Sequence, residues 1–396
     1  MTPCPACAAP LDPPVYRTGP VPVHSCLMLD GAAAAAAFPT GEVHLAPCPA
    51  CGLVVNTAFD PRWSAYAPEY EDQQSFSPRF NGFAADLARG LIARHGLDGG
   101  QVVEIGCSKG DFLHLLAELG DMRGTGIDPS ALPGRLPPPR RGSLRLIPEY
   151  YTDAHLDLPA DLLCARHMLE HVGPVAEMLG RMHRHLAANP GAVLCIEVPD
   201  ATRIWQTGAF EDIYYEHCSY FTAGSLARAL RRAGFGLLEL RREYNGQYLV
   251  AEAVADPARD RPAPLAEPAR ETTRAIAGLA TRAAAQITGW QGWLRGAARR
   301  GEPVAIWGSG SKCVAFLRAM GPEAARAVTT LVDINPHRAG HFAPGMALPV
   351  SRPEDLTRSP PARVIAMNPI YTAEITARLA RLGLSLPVQA LGTPPA

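Results

Sequence analysis

The densest run of proton-transfer groups in the 396-residue chain lies at 212–221, Asp-Ile-Tyr-Tyr-Glu-His-Cys-Ser-Tyr-Phe. An imidazole titrates near neutrality, so His217 has the chemistry of a general base. A neighbouring carboxylate, here Glu216, can fix the tautomer of an imidazole and raise its basicity. A phenol such as that of Tyr214 can donate to a developing enolate oxygen. The alternative is an aromatic packing segment with a solvated Glu-His pair, but so many such groups in ten residues favour chemistry.

A second run, Arg166-His167-Met168-Leu169-Glu170-His171, contains H-x-x-E-H, also the metal motif of the inverzincins. That motif needs its ligands on one helix. Here His167 falls at the end of an apolar strand pattern and no further zinc ligand is evident, so a metalloprotease is disfavoured. His167 reads either as a ring facing a bound ligand or as a buried, hydrogen-bonded one, and His171 as pointing toward a substrate.

Metal chemistry is signalled elsewhere. Cys4-Pro-Ala-Cys7 and Cys48-Pro-Ala-Cys51 are two C-x-x-C knuckles with the same filling, 40 residues apart. Each knuckle sets two sulfurs on one tight turn, and two turns close a tetrahedral zinc site. The interval exceeds that of a compact zinc ribbon, so the intervening chain must fold back between them. Four thiolates leave no open position, so the metal is structural. Cys26 is left over and reads as packing. Cys107, Cys164, Cys195 and Cys313 fall in or beside apolar strands, where a thiol acts as a small hydrophobe rather than half of a disulfide.

Two elements must position these groups. Val102-Val-Glu-Ile105 followed by Gly106-Cys-Ser-Lys-Gly110-Asp-Phe-Leu reads as strand, tight turn and helix, the opening of a doubly wound α/β domain. The pattern E-x-G-x-x-x-G is looser than the G-x-G-x-x-G that cradles a pyrophosphate and suits a ligand with an amino-acid moiety. The next strand, 124–127, ends at Asp128, 22 residues beyond Gly106, near the interval at which an acid meets ribose hydroxyls. Further strands are expected at 144–147, 161–165 and 193–198, a helix at 83–92, and a hairpin from 235–240 and 248–253 around Asn245-Gly246. After a proline-rich linker at 256–268, Ile276, Leu279, Ala283, Ile287, Trp290 and Leu294 step at helical spacing, with the tryptophans as core. Val304-Ala-Ile-Trp307 then runs into Gly308-Ser-Gly310-Ser311-Lys312-Cys313, a degraded dinucleotide fingerprint, and a second strand ends at Asp333.

Composition sets the bounds. A net charge of −1 gives no general attraction to nucleic acid or an anionic membrane. No apolar run reaches spanning length and no secretory signal opens the chain, so a cytoplasmic protein is expected. The length predicts two or three domains and the 47% hydrophobic content a core in each. The order of motifs divides the α/β chain into a zinc-binding module at 1–72, a doubly wound domain at 73–255 and a second Rossmann-like α/β domain at 256–396. Only two lysines occur, Lys109 and Lys312, both in glycine loops; the readings are a compact ammonium required there or a coincidence of placement.

The loop 104–110 with Asp128 resembles the first motifs of class I S-adenosylmethionine methyltransferases, whose five parallel strands and final antiparallel pair match the strand order read here. The succession of zinc module, methyltransferase core, Tyr-x-Glu-His and further α/β module is similar to the nucleotide-sugar C-methyltransferases of deoxysugar biosynthesis, over nearly the whole chain. The resemblance implies cofactor contacts at Glu104, Gly106, Cys107, Lys109, Gly110, Asp128 and His167, and an active site at Tyr214, Glu216, His217 and His171. It implies that His217 deprotonates C3 of an NDP-4-keto-6-deoxyhexose, that Tyr214 holds the enolate and that Glu216 orients the base. It further implies that the last domain holds the nucleotide-sugar, with Lys312 as phosphate counter-charge and Ser311, Asp333, Asn368 and Tyr371 in family motifs. Asn245-Gly-Gln-Tyr248 and Met367-Asn-Pro369 depart from the His-Gly-Gly-Ser and Trp-Asn of antibiotic-sugar members, which leaves room for another sugar or a non-sugar acceptor. An O- or N-methyltransferase, or a NAD- or nucleotide-binding protein built on the last domain, is the alternative; the protein would be a monomer or homodimer.

Overall fold

The computed structural model describes residues 2–63, 65–392 and 394. Its largest sheet has seven strands in the order Gly236–Glu243, Tyr248–Val254, Val193–Pro199, Leu162–Arg166, Gln101–Ile105, Arg123–Ile127, Ser143–Ile147. The last five run parallel, and the hairpin enters antiparallel beside Val193–Pro199. This is the strand order expected. The inner strands are apolar on both faces because helices cover both; Leu162, Leu163, Cys164 and Ala165 are fully buried. Burying a leucine side chain contributes about 1.5–3 kcal/mol, so these short strands anchor the domain.

A five-stranded parallel sheet follows in the order Val350–Ser351, Val328–Val332, Val304–Trp307, Arg363–Ala366, Val388–Ala390. The expected helix before it is broken at Gly278 into Ala269–Ala277 and Leu279–Arg299. Most of its stripe is core as expected: Ile276, Leu279, Ala283, Trp290 and Leu294 are buried, Ile287 and Trp293 are half-buried against them, and the Trp290 indole donates to the Gly392 carbonyl at 3.0 Å. The segment 256–268 runs along the surface with no residue fully buried, as a linker would, and is tied down by hydrogen bonds. Asp260 accepts from the Leu237 amide at 3.0 Å and Glu267 from the Gly224 amide at 2.9 Å.

The small amino-terminal sheet is antiparallel, Tyr16–Pro22, Thr40–Pro47 and Val54–Asn56, and draws its fourth strand, Ser219–Tyr220, from the middle of the chain. The residues right after Glu216-His217 are therefore hydrogen-bonded into the amino-terminal module. One buried cluster joins Cys4, Cys48 and Leu53 to Ile196 and Leu226, and another joins Val43 and Leu45 to Trp205, Trp290 and Phe316. Among the described residues no helix is long and apolar enough to cross a membrane.

Candidate active site

A cavity of about 540 Å³ opens where the three sheets meet, within the range of small-molecule sites. One end is the crevice at the carboxyl ends of Gln101–Ile105 and Arg123–Ile127. Gly106 turns there with φ 72°, and a Cβ would lie 2.5 Å from Met168 Cγ, so only glycine fits. Glu104, Gly106, Cys107 and Asp128 line the crevice. Burial pushes the Glu104 carboxyl up to about 8, against the pull of Arg166, and its Oε2 is buried with no hydrogen-bond partner. Asp128 accepts from the Ser108 amide at 2.9 Å and from the Ser130 amide and hydroxyl at 2.6 and 2.7 Å, so it ties the loop as well as facing the cavity.

Two of the expected loop contacts are corrected. Lys109 is fully buried and points away from the cavity, where its ammonium donates to the carbonyls of Pro68 at 3.0 Å and Ser130 at 2.6 Å. The ammonium braces the loop from behind. Gly110 is the left-handed cap of the helix Asp111–Gly120, with φ 89°, and is also absent from the cavity wall.

The floor is a buried ionic cluster. Arg166 lies across the Phe112 ring at 4.2 Å and pairs with Glu197 at 3.0 Å. Burial would raise the Glu197 carboxyl, but Arg166 and His167 bring it down to about 2. His167, in a left-handed conformation at φ 50°, sets Nε2 at 2.7 Å from Glu197 and Nδ1 at 3.6 Å from Glu170. Burial lowers that imidazole, and the two carboxylates raise it to about 9. The segment after it is a single 3-10 turn, Leu169–His171, so the residues of H-x-x-E-H do not share one helix.

The centre holds the aromatic run. The Tyr214 and His217 rings lie 4.2 Å apart, and the His171 and His217 rings 4.7 Å apart and near perpendicular. Burial, then the neighbouring His171, His167 and Lys312, hold the His217 imidazole well below its ordinary value. It is thus neutral at physiological pH, the form that accepts a proton. Burial keeps the Tyr214 phenol protonated, hence a donor. His171 Nδ1 is 2.7 Å from the Tyr66 hydroxyl.

Glu216 does not orient the base. Its carboxylate turns out of the cavity to His24 Nδ1 at 2.9 Å and the Ser25 amide at 3.1 Å. Burial would raise it, but His24 brings it below the usual carboxylate range. Glu216 is a strut to the amino-terminal module.

On the opposite wall, Ser311, Lys312, Asp333, Asn368 and Tyr371 all line the cavity. The Lys312 ammonium is paired with Asp212, which also pairs with Arg203, so the expected phosphate counter-charge is already committed to a carboxylate. Ser311 Oγ lies 3.6 Å from Cys26 Sγ. Asn368 exchanges amide hydrogen bonds with Gln247 at 3.1 and 2.9 Å, and the Tyr371 and Tyr244 hydroxyls meet at 2.7 Å. Asp333 accepts from the Ser309 amide at 2.8 Å.

At the far end of the amino-terminal module, Cys4 and Cys51 sulfurs are 3.6 Å apart and those of Cys7 and Cys48 3.5 Å apart, all four within 4.8 Å. A tetrahedron with metal–sulfur bonds of about 2.3 Å has edges of about 3.8 Å, so donor set and spacing fit a closed zinc site.

Tyr66, Arg166, Glu170, Glu197 and His24 were not anticipated as site residues. Their partners lie up to 192 positions away, as His24 and Glu216 do. No local spacing encodes that.

Residues 79–240 match a family described as methyltransferase domain, and residues 269–384 match the C-methyltransferase C-terminal domain. Over 303 residues, 72% of this chain and 70% of the relative, the sequence is 28% identical to the C-methyltransferase NovU of Streptomyces niveus. Among solved structures, the 1,6-didemethyltoxoflavin-N1-methyltransferase of Burkholderia thailandensis aligns at TM-score 0.34 and 20% identity, over 52% of this chain and 96% of its own. The magnesium protoporphyrin IX methyltransferase of Synechocystis PCC 6803 aligns at TM-score 0.34 and 15% identity, over 44% and 83%.

Proposed function

Because the chain belongs to the S-adenosylmethionine-dependent C-methyltransferases, we propose that it methylates carbon next to the carbonyl of a keto nucleotide-sugar, an NDP-4-keto-6-deoxyhexose at C3. The observation that carries this reading is the neutral, buried His217 imidazole beside Tyr214 on the wall of a cavity that continues into the Glu104–Asp128 crevice. O- and N-acceptors bring their own lone pair. A carbon acceptor needs a base to make one.

The bound cofactor supplies an electrophilic methyl group on sulfonium. Glu104, Gly106, Cys107, Asp128 and His167 form its crevice, and the Glu104 oxygen without a partner is placed to accept from an ammonium or hydroxyl. His217 takes the proton from C3, Tyr214 donates to the oxygen that gains charge, and His171, steadied by Tyr66, packs edge-on against the base. Holding donor and acceptor in line provides much of the acceleration. Glu216 acts through His24, fixing the backbone that presents His217. Ser311, Lys312, Asp333, Asn368 and Tyr371 form the wall for the nucleotide-sugar, and Lys312 meets a diphosphate by exchanging Asp212 for it. Cys4, Cys7, Cys48 and Cys51 hold a structural zinc ion that braces the sheet to which Ser219–Tyr220 is added.

The test is incubation with methyl-labelled cofactor and a panel of keto nucleotide-sugars. Label in a C3-methyl product supports the reading. Label found on oxygen or nitrogen of another acceptor overturns it.

A further inference from the structure

With Glu216 turned to His24, the base is left without the carboxylate assigned to it. Among the described residues, neither ring nitrogen of His217 has a hydrogen-bond partner. A second carboxylate stands close by. Glu170 is 2% exposed, and both its oxygens are buried without a hydrogen bond. One atom each of Glu170, His171 and His217 lie within 4.8 Å of one another, and all three residues line the cavity. The two segments are stitched together where this matters, since the Cys218 thiol donates to the Glu170 carbonyl at 3.4 Å.

An unpartnered buried carboxylate is costly unless a positive charge comes to it. The resting neighbour is His167 Nδ1 at 3.6 Å, too far for a hydrogen bond and already shared with Glu197. A divalent metal on Glu170, His171 and His217 would occupy the lone pair that has to take the proton. The cation the reaction itself creates is the imidazolium of His217.

We infer that Glu170, and not Glu216, is the carboxylate that serves the base: it receives the N–H of His217 and stabilises the imidazolium formed on proton abstraction. The inference rests on the proposed role of His217. In the step, the acceptor's C–H bond breaks, its electron pair moves into the enolate, and the proton forms N–H on the ring. The proton taken stays on the ring, so the +1 charge that develops there faces the Glu170 carboxylate. This is the arrangement in which an aspartate holds and compensates a catalytic histidine. A gap of a few ångströms without ligand is ordinary, because catalytic hydrogen bonds tighten when substrate binds. Glu170 is thus a positioning residue acting through His217.

The experiment follows exchange of the C3 proton of an NDP-4-keto-6-deoxyhexose in D2O by NMR, with S-adenosylhomocysteine bound, beside kcat and KM for methyl transfer. His217→Asn is expected to abolish exchange. Glu170→Gln is expected to lower exchange and kcat together by about 10²–10³-fold, with KM and S-adenosylhomocysteine affinity within about two-fold, and Glu170→Asp to restore part of the loss. Removing the charge also lowers the basicity of His217, so the acid limb of the kcat profile moves to lower pH. The other titratable groups facing that ring, His167, His171, Tyr214, Tyr220 and Lys312, are unchanged in the variant, as is Glu216. Wild-type exchange in Glu170→Gln overturns the inference while the base survives. A loss confined to melting temperature or cofactor affinity, with the limb unmoved, also overturns it. Exchange retained by His217→Asn instead removes the base, and the inference with it.

Discussion

The two parallel sheets carry the same device and use it differently. In each, a glycine with left-handed backbone ends the first strand, Gly106 at φ 72° and Gly308 at φ 101°. In each, the acid ending the second strand reaches back to the turn: Asp128 accepts from Ser108 N at 2.9 Å and Asp333 from Ser309 N at 2.8 Å. In sequence both read as ligand loops. The difference lies above them. Both loops line one cavity, and beside the first a buried Glu104 oxygen lacks a partner. Beside the second lies Arg338, 5% exposed, with Nη1 at 3.3 Å from Ser309 Oγ and 3.4 Å from Asp333, and Nη2 on Cys26 and the Glu71 carbonyl. The second loop therefore also joins the last domain to the amino-terminal module, with Asp333 already paired while Ser311 and Lys312 still face the cavity. A strand–glycine–helix signature specifies a turn, and the groups around the turn decide whether it binds.

The comparison is broken most sharply at Arg338. Arg338→Ala removes the buried guanidinium that links Ser309 and Asp333 to Cys26 and the Glu71 carbonyl, leaving Asp333 its bonds from Ser309 and Asn335. It is expected to lower unfolding free energy by about 3 kcal/mol while leaving S-adenosylhomocysteine affinity intact; denaturant titration with calorimetry measures both. Next, Asp128→Ala is expected to weaken S-adenosylhomocysteine about 100-fold, through loss of charged hydrogen bonds, and Asp333→Ala less than about three-fold. Equal losses would make the two loops equivalent. Gly106→Ala places a Cβ 2.5 Å from Met168 Cγ, whereas at Gly308 the nearest atom is Met367 Cβ at 3.4 Å. Both substitutions pay for positive φ, so thermal melts should show losses of about 2–3 kcal/mol at Gly106 and about 1 kcal/mol at Gly308.

The smallest effect is in pH. His167 is raised to about 9 and Glu104 to about 8, so at these two groups the folded state holds more protons than the unfolded chain. The contribution of each to stability then falls as pH rises, from about 4.5 to about 8 for Glu104 and from about 6.5 to about 9 for His167. Glu104→Gln should flatten the lower part of that slope and His167→Gln the upper part, in urea titrations across the range.

What was legible in the sequence is what local chemistry writes there. The strand–turn–helix at 102–113, the paired knuckles at Cys4 and Cys48 and the proton-transfer run at 212–221 each need only neighbouring residues to be recognised. The misreadings concern partners. Glu216 sits beside His217 in sequence, yet the chain turns there, the His217 amide donating back to the Tyr214 carbonyl at 3.3 Å, and the partner of Glu216, His24, lies on another module. Lys109 sits in a glycine loop, but a long stem let its ammonium turn behind the loop to two carbonyls. The cationic group beside the second loop, Arg338, has no motif at all; its contacts with Cys26 and Glu71 span more than 260 residues.

The central claim is that a neutral imidazole at the junction of the three sheets makes a carbon nucleophile for the methyl group. It is tested most directly with an NDP-4-keto-6-deoxyhexose deuterated at C3 and methyl-labelled cofactor, analysed by mass spectrometry of the product. The account predicts that every methyl gained is matched by one deuterium lost, and that His217→Asn does neither. A methylated product that retains its C3 deuterium would contradict it.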